Sequence, residues 1–543
     1  MLLFTIRAPV GFRVDPGGFA EGFASGEGVA CLDGKRTAAL PASGRDLPDG
    51  QALAGDEILR GTGAAIDDHQ GDCTPGGRRL TKKKSGYYDG AMQIEKGIDK
   101  LVKTVRVMIL DKPGFFGKVA TAIGAAGGNI GDIKLVEYGL EYNTRDVTIF
   151  VDSDAQLQEV LEELGKVEGV IISDIIDPVL EMHRGGKISV KSRIDIDSIS
   201  TIRKVYTPGV AKVCKLIQRK PELAYKYTAI PNTVAIVTNG TAILGLGDIG
   251  AVAGMPVMEG KAALFDALVG INGVPILIQS KDTEEIIRTV ASIAPTFGAI
   301  KLEDIKAPEC FEIEDRLGEM LDIPVMHDDQ HGTAVVVLAA LLNASKYVGM
   351  QVKNDTVGMV GLGAAGMGIS KLLMAFGVRK MLGADINPGA QAIFAKEGGK
   401  PVTLPEVMAS SDIVICTTGV QGLIKKEMIR KGQVILALSN PRPEILPEEA
   451  REAGASFAAD GRGVNNALAF PGVFRGALNA RARKINNRMK LAAARVISSC
   501  ASAGELVPSI LDREMHAKVA EAVERAAFET GVARPRTEEI EET

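Results

Sequence analysis

The sequence is poor in aromatic residues and in cysteine. Only 4% of its 543 residues are Phe, Trp or Tyr, and Trp is absent. Hydrophobic cores must therefore be built from Ala, Val, Ile, Leu and Met. The six cysteines form no Cys-x-x-Cys pair and stand at positions 31, 73, 214, 310, 416 and 500. This spacing argues against a disulfide scaffold or a cysteine-rich zinc site, and it fits a reducing cytoplasm.

A strong charge of one sign and long hydrophobic runs are also lacking. The 63 Lys and Arg nearly balance the 68 Asp and Glu, leaving a net charge of −5. This balance gives no reason to expect nucleic acid or an anionic membrane as the main partner. The longest apolar run, near residues 333–344, has about a dozen residues, too few to span a bilayer. Because the N-terminus also lacks the cationic start of a signal peptide, we expect a cytoplasmic protein.

Glycine and apolar residues are plentiful. Hydrophobic residues make up 46% of the chain, enough for large cores, and its length predicts three or four domains. The first 90 residues hold 17 of the 62 glycines and show neither helical nor strand periodicity. We therefore predict that residues 1–95 are a disordered extension. Alternatively, they are upstream sequence included by a misplaced start, with Met92 as the true beginning.

A regular pattern begins near Thr104. Strand-like and helix-like segments follow in the order βαββαβ, which predicts a small ferredoxin-like sandwich over residues 100–178. The segment DKPGFFGKVATAIGAAGGNIGDI (111–133) resembles the ACT domain, a regulatory module. That resemblance implies a small effector, such as an amino acid. The alternative is a ferredoxin-like fold without a ligand.

The rest of the chain alternates strand and helix patterns. This alternation is typical of parallel α/β units and predicts a substrate domain over 185–345 and a doubly wound, Rossmann-type domain over 346–478. The final segment, 479–543, is predicted to be helical and to end in a solvated acidic stretch. The predicted fold class is therefore α/β, with an N-terminal ferredoxin-like domain.

A glycine fingerprint lies in VGMVGLGAAGMGISKLLMAFG (357–377). Gly361, Gly363 and Gly366 form G-x-G-x-x-G between a strand and a helix, where backbone NH groups bind a pyrophosphate. The next strand ends at Asp385, 19 residues after Gly366. A carboxylate there accepts hydrogen bonds from ribose hydroxyls and repels a 2′-phosphate, which favours NAD over NADP.

The cofactor site should extend beyond this fingerprint. The carboxyl ends of parallel strands line the ligand crevice of a doubly wound sheet, and the strands DIVICTTG (412–419) and VILALSNP (434–441) end in small polar residues. The predicted cofactor-binding residues are therefore Gly361, Gly363, Ala364, Ala365, Gly366, Asp385, Thr417, Thr418, Gly419 and Asn440.

Acidic residues follow two strands in the middle of the chain. GAIKLEDI (298–305) ends near Glu303 and Asp304, and IPVMHDDQHGTA (323–334) carries Asp328 and Asp329. Carboxylates at adjacent strand ends can converge on one Mg²⁺ or Mn²⁺ ion. Alternatively, such acids cap helices or are solvated. We interpret the neighbouring histidines, at positions 327 and 331, as structural rather than as zinc ligands.

Two further side chains are candidates for proton transfer. In VYTPGVAKVCKLI (205–217), Thr207 is predicted as a helix N-cap with Pro208 in the first turn, which places Tyr206 before a helix. MPVMEGKAALFDAL (255–268) is predicted to hold Lys261 at the start of a helix, where the helix dipole and partial burial would lower its pKa. The alternatives are a packed tyrosine ring and a surface lysine.

Together these segments resemble the malic enzyme family in its bacterial form with an ACT domain. The matching segments are YTPGVA (206–211), TAILGLGDIG (241–250), MPVMEGKAALF (255–265), LEDI (302–305), HDDQHGTA (327–334), GLGAAGMG (361–368), SNPRPE (439–444) and VNNALAFPGVFRGAL (464–478). The resemblance implies NAD-dependent oxidative decarboxylation of L-malate to pyruvate and CO₂ with Mn²⁺ or Mg²⁺, and a homo-oligomer of two or more subunits.

The resemblance also implies roles for individual residues. Tyr206 becomes the general acid and Lys261 the general base. The implied metal ligands are Glu303, Asp304 and Asp329, and the implied substrate contacts are Asn440, Asn465 and Asn466. Ala242 stands where larger members carry a malate-binding arginine, so carboxylate binding must rest on the metal, the asparagines or backbone donors.

Two other functions fit parts of the pattern. An amino-acid dehydrogenase also pairs a cleft lysine with a Rossmann domain, but it needs no metal, and the clustered acids argue against it. The second is an ACT-based sensor whose enzyme half is inactive, which the presence of the tyrosine, the lysine and three acids disfavours.

Overall fold

The computed structural model describes residues 100–243 and 245–535. The prediction for residues 1–95 and the prediction of an acidic end therefore lie outside the described residues. Two of the cysteines do as well, and the four described ones, Cys214, Cys310, Cys416 and Cys500, are free thiols.

The N-terminal described segment is a four-stranded antiparallel sheet with two helices. The strands lie in the order β2-β3-β1-β4, and their inward residues form one core with the helices. The elements are β1 (Leu101–Leu110), α1 (Phe115–Ala125), β2 (Asn129–Tyr138), β3 (Tyr142–Val151), α2 (Asp154–Gly165) and β4 (Val170–Ile176). The predicted βαββαβ order is confirmed.

A short helical segment leads into a parallel four-stranded sheet of order β6-β5-β7-β8. Its central strand β5 is buried along its whole length, as expected when helices cover both faces of a parallel sheet. The strands are β5 (Thr233–Thr238), β6 (Asn272–Leu277), β7 (Ala299–Leu302) and β8 (Val325–His327). The helices are α3 (Pro178–His183), α4 (Ile199–Val205), α5 (Val210–Arg219), α6 (Ala224–Tyr227), α7 (Met255–Val269), α8 (Thr283–Ile293), α9 (Glu309–Met320) and α10 (Asp328–Val348).

The next sheet has six parallel strands in the order β11-β10-β9-β12-β13-β14. Counted within this sheet, the order is 3-2-1-4-5-6, the Rossmann order. The strands are β9 (Thr356–Val360), β10 (Lys380–Ala384), β11 (Lys400–Pro401), β12 (Ile413–Cys416), β13 (Val434–Ala437) and β14 (Phe457–Asp460). The helices are α11 (Ala364–Phe376), α12 (Pro388–Lys396), α13 (Leu404–Ser410) and α14 (Pro447–Glu452). The doubly wound prediction is confirmed.

Three C-terminal helices complete the fold: α15 (Phe470–Asn479), α16 (Asn487–Cys500) and α17 (Arg513–Glu529). They share one large core with α10 and α11. Among the described residues, α10 is the one helix long and apolar enough to cross a membrane, and 61% of its most apolar window is buried inside the fold.

Two predicted helix starts are wrong. Thr207 is not an N-cap, because residues 206–209 form a turn and α5 begins at Val210 after Gly209. A side chain at Gly209 would meet the Arg203 carbonyl oxygen at 2.5 Å, so this close turn needs glycine. Lys261 is not at a helix start either, because α7 begins at Met255. The helix dipole acts within the first turn and so does not reach Lys261.

The aromatic packing behind the sheets generates a stability prediction. Phe265 is fully buried, and its ring makes edge-to-face contacts with Phe470 at 4.9 Å and Phe474 at 5.5 Å. Phe265→Ala should lower the free energy of unfolding by about 3–5 kcal/mol, because it leaves a cavity. Urea denaturation measures this. Leu511→Ala, at a side chain that is 77% exposed, should change it by less than about 0.5 kcal/mol, and equal effects would contradict the packing argument.

Candidate active site

The predicted acids meet at one edge of the β5–β8 sheet. Glu303 and Asp304 directly follow β7, while Asp328 and Asp329 open α10 directly after β8. Because β7 and β8 are parallel neighbours, both strand ends lie at the same edge. One oxygen from each of Glu303, Asp304 and Asp329 lies within 4.8 Å of the other two.

This group of three carboxylates fits a divalent metal ion. Asp304 is buried, and its Oδ2 has no hydrogen-bond partner among the described residues. Burial, followed by the charge of Asp329, raises the pKa of Asp304 to about 7. The backbone of Asp304 has a φ of 53°, a left-handed conformation that non-glycine residues rarely adopt. Crowded, underpaired oxygens of this kind are the donors that Mg²⁺ and Mn²⁺ prefer.

Two lysines balance the acids. The Lys261 Nζ lies 2.8 Å from Glu303 Oε1 and 3.0 Å from Asp328 Oδ2. Lys301, on β7, is fully buried; its Nζ lies 2.9 Å from the same Asp328 oxygen and also pairs with Glu303. Both ammonium groups lie over the Phe470 ring, at 4.9 and 4.7 Å from its centroid. Burial lowers the pKa of Lys301 to about 8, and nearby Lys261 adds to the effect.

Lys301 and Asp328 have roles that the sequence reasoning missed. Asp328 is fully buried, and although burial works to raise its pKa, the two lysines hold that pKa below its usual value. It therefore anchors the lysines, whereas its neighbour Asp329 faces the metal group. The sequence signal for Lys301 was a charged residue inside an otherwise apolar strand, AIKL.

The three asparagines predicted to contact substrate lie in different parts of the site region. Asn466 Oδ1 accepts a hydrogen bond from Lys261 at 3.0 Å, so Asn466 belongs to the lysine–acid cluster. Asn465 Oδ1 instead accepts from the Ala467 NH at 2.8 Å and begins a short helical turn. Asn440 lies in the loop after β13, where its Nδ2 is 3.5 Å from the Gly461 carbonyl oxygen.

Tyr206 is not brought into this cluster. It follows α4, and its residue surface is 69% exposed. Within the described chain, no hydrogen bond joins its hydroxyl to Lys261 or to the acids. Its predicted role as general acid therefore stays a prediction.

The glycine fingerprint has the geometry of a pyrophosphate site. Gly361 has a φ of +92°, and a side chain at Gly366 would meet the Gly361 carbonyl oxygen at 1.9 Å. Gly363 stands directly before α11, so the helix N-terminus faces the turn. Asp385 Oδ2 accepts from the Leu362 NH at 2.6 Å, and Oδ1 accepts from the Asn387 NH at 2.8 Å. The carboxylate is thereby fixed at the end of β10.

A buried glutamate that the sequence reasoning missed organises the neighbouring strand ends. Glu444 Oε1 accepts hydrogen bonds from the Thr418 NH at 2.7 Å, the Thr418 hydroxyl at 2.9 Å and the Ser439 hydroxyl at 2.6 Å. The Ser439 oxygen in turn accepts from the Gly419 NH at 2.8 Å. The predicted cofactor residues after β12 are thus positioned from the loop after β13. The sequence signal for Glu444 was the acidic residue that ends the segment SNPRPE (439–444).

Comparison with known proteins matches three parts of the chain to known domain families. Residues 187–318 match the malic enzyme N-terminal domain, and residues 460–528 match the malic enzyme NAD-binding domain. Residues 326–434 match the NAD-binding domain of D-isomer-specific 2-hydroxyacid dehydrogenases. NAD-dependent malic enzyme 1 of Bacillus subtilis is 54% identical over 430 residues, covering 79% of this chain and 98% of the relative. The chain belongs to the malic enzyme family.

Other relatives agree with this placement. The NAD-dependent malic enzyme of Geobacillus stearothermophilus is 44% identical and covers 79% of this chain and 95% of its own length. The crystal structure of a malic enzyme from Pyrococcus horikoshii superposes with a TM-score of 0.63 at 41% identity, covering 66% of this chain and 93% of that one. The family and the α/β fold inferred from the sequence are therefore confirmed.

Both histidines near the acids contact Glu314, His331 through its ring and His327 through its backbone. His331 Nε2 lies 3.0 Å from the Glu314 carboxylate, and the His327 NH donates to Glu314 Oε1 at 2.8 Å. Gln330 also donates to this carboxylate, at 2.9 Å. Glu314 thus fixes the first turn of α10, which carries Asp328 and Asp329.

The raised pKa of Asp304 generates a prediction for metal-free protein. A carboxyl whose folded-state pKa exceeds its unfolded-state value stabilises the fold at low pH, and this contribution is lost as pH rises towards 7. Asp304→Asn should therefore raise the free energy of unfolding at pH 8 by more than about 1 kcal/mol, and raise it less at pH 5, while abolishing Mn²⁺ binding.

Urea denaturation with chelator at both pH values measures the stability change, and calorimetry measures Mn²⁺ binding. The exposed acid Asp132 provides the control Asp132→Asn, which should show the same small change at both pH values. A loss of stability on Asp304→Asn at pH 8 would show that the carboxylate is structural.

Proposed function

We propose that this chain oxidatively decarboxylates L-malate to pyruvate and CO₂ with reduction of NAD, using Lys261 as the general base. One observation carries the assignment of roles: Lys261 lies within 3.0 Å of Glu303, Asp328 and Asn466, at the edge where three carboxylates converge. An amino-acid dehydrogenase has no use for this acid group, and nothing in the site favours that alternative.

Lys261 is the better placed of the two lysines for proton transfer. The Lys261 side chain is 13% exposed, whereas the Lys301 side chain is fully buried. Lys261 also contacts Asn466, a proposed substrate contact, so its Nζ can reach a bound hydroxy acid. In this proposal the Lys261 amine would take the C2 hydroxyl proton, and NAD, when bound, would supply the acceptor for the C2 hydride. Asp328 and Lys301 act behind it by fixing the position of the amine.

Glu303, Asp304 and Asp329 are the proposed holders of Mn²⁺ or Mg²⁺. When bound there, the ion supplies Lewis-acid stabilisation of the negative charge that develops on the substrate oxygens. The chain itself contributes the crowded carboxylates and excludes water around Glu303 and Asp304, both of which are buried. Ala242 carries no charge that could bind the substrate carboxylate. In this proposal, Asn466 therefore contributes to binding that carboxylate.

Tyr206 is the proposed acid that protonates C3 of enolpyruvate. It lies on a segment rich in exposed apolar side chains, at positions 190, 194, 196, 199 and 206, each more than half exposed. Such a patch is typical of an interaction surface and supports a homo-oligomer of at least two subunits. Covering this segment with a second copy would remove water from around the phenol.

The cofactor is NAD, and two observations support its preference over NADP. Asp385 presents a fixed carboxylate beside the glycine turn, where it would repel a 2′-phosphate. The two most similar relatives described above are named as NAD-dependent enzymes.

The N-terminal ferredoxin-like domain is proposed to be an ACT module that binds an amino acid or another small effector.

Metal removal tests the proposed reaction. Protein treated with EDTA should release no CO₂ from malate and NAD, and added Mn²⁺ should restore turnover, because the carboxylates alone cannot stabilise the developing negative charge. CO₂ release and NADH absorbance are measured together, with NADP in parallel and with glutamate or leucine in place of malate. If metal-free protein still decarboxylates malate, the assignment is wrong.

Replacement of Lys261 tests the assignment of the base. Lys261→Ala should lower kcat by about 10²- to 10⁴-fold, and small primary amines should restore part of the lost activity by occupying the vacated space. Lys281→Ala is a matched control, since Lys281 is exposed and its ion pair in the described part of the chain is with Asp248 at the surface. A Lys261→Ala variant with near-normal kcat would assign the proton transfer to another group.

A further inference from the structure

A polar cavity lies among α10, α11 and α16. Its volume is about 280 Å³, and its polar lining includes His331, Lys371, Glu397, Asn487 and Lys490. None of these side chains has a role in the reaction proposed above. The cavity is large compared with the roughly 30 Å³ that a water molecule occupies in the liquid.

Lys490 is a buried cation that lacks an anion in contact. Its residue surface is 7% exposed, and among the described residues its Nζ has one hydrogen-bond partner, His331 Nδ1, at 3.1 Å. An ammonium group only donates, so His331 Nδ1 accepts, and the ring proton is on Nε2 and faces Glu314. Buried charges are normally paired, and within the described ranges no carboxylate forms an ion pair with Lys490.

The other charges near the cavity do not supply that anion. Lys371 Nζ and Glu397 Oε1 lie 3.0 Å apart and pair with each other. Glu314 lies behind His331, where it already accepts hydrogen bonds from three donors. Asp315 is close enough to Lys371 for their charges to interact, but it is not part of the lining. The lining therefore has two ammonium groups and one carboxylate.

The end of a helix adds to the positive potential. Asn487 is the first residue of α16, a helix of 14 residues, and Lys490 is one turn further on. The free NH groups of a helix N-terminus favour an anion. Burial also lowers the pKa of Lys490 to about 8, so a bound anion would favour the charged form of this lysine.

We infer that this cavity is a binding site for a small oxyanion, a phosphate or a carboxylate, with Lys490 as its main charged contact. The occupied site would be linked to the reaction centre through His331 and Glu314, because Glu314 fixes the first turn of α10. The inference does not rest on the proposed function, since anion binding is measurable in metal-free protein without turnover.

Calorimetric titration of the full-length, metal-free protein tests the inference. Inorganic phosphate is the probe for phosphates, and succinate is the probe for carboxylates. At least one of them should bind, and Lys490→Gln should weaken its binding by about tenfold or more, because a hydrogen bond to a charged group is lost. Lys396→Gln, at an exposed lysine beside Glu397, should leave the affinity unchanged.

A second variant keeps the test decisive if Lys490→Gln does not fold. Asn487→Asp places a carboxylate at the helix start, where it should favour the helix but repel the probe, so probe affinity should fall while the thermal midpoint does not. If neither probe binds, the inference is overturned. It is also overturned if binding persists unchanged in both variants, since the probe would then bind at another site.

Discussion

The packing of four carboxylates against two ammonium groups at one sheet edge is the constraint on which the site depends. Asp328 is fully buried and forms ion pairs with both Lys261 and Lys301, each about 3 Å away. A charge removed from water in this way is stable only when it is paired, so the two lysines and Asp328 must be placed together. Their pairing fixes where β7 ends and where α10 begins, and these elements present Glu303, Asp304 and Asp329.

Close backbone contacts connect this edge to the cofactor side. A side chain at Gly368, in α11, would meet the Gln330 carbonyl oxygen of α10 at 2.3 Å. The helix that follows the glycine fingerprint therefore lies directly against the helix that begins with Asp328 and Asp329. Gly366 allows an equally close approach to the Gly361 turn. Since backbone atoms cannot move aside as a flexible side chain can, glycine sets the distance between the acid group and the glycine turn.

Buried polar residues organise the surroundings in a similar manner. Glu314 holds the first turn of α10 through His327, Gln330 and His331, and Glu444 holds the strand ends after β12 through Thr418 and Ser439. Each glutamate lies outside the reacting groups, yet each accepts several hydrogen bonds in a low-dielectric interior, where such bonds position their donors firmly. The first turn of α10 and the strand ends after β12 are therefore held by carboxylates that lie outside the proposed site residues.

The sequence by itself determined the family and the α/β fold class, and it predicted a set of site residues. Parallel strands separated by helices require acids and glycines at strand ends to lie at one edge, so Glu303, Asp304, the pair Asp328 and Asp329, and the Gly361 turn could be placed at strand ends from local pattern alone. Only the tertiary structure decided which residues support them. Lys301 looked like one charge in a short strand, and nothing local distinguished Asp328 from Asp329 or Asn465 from Asn466. Those distinctions depend on distances between residues far apart in the chain, such as Lys261 and Asn466, and on burial, which appears only when the elements pack.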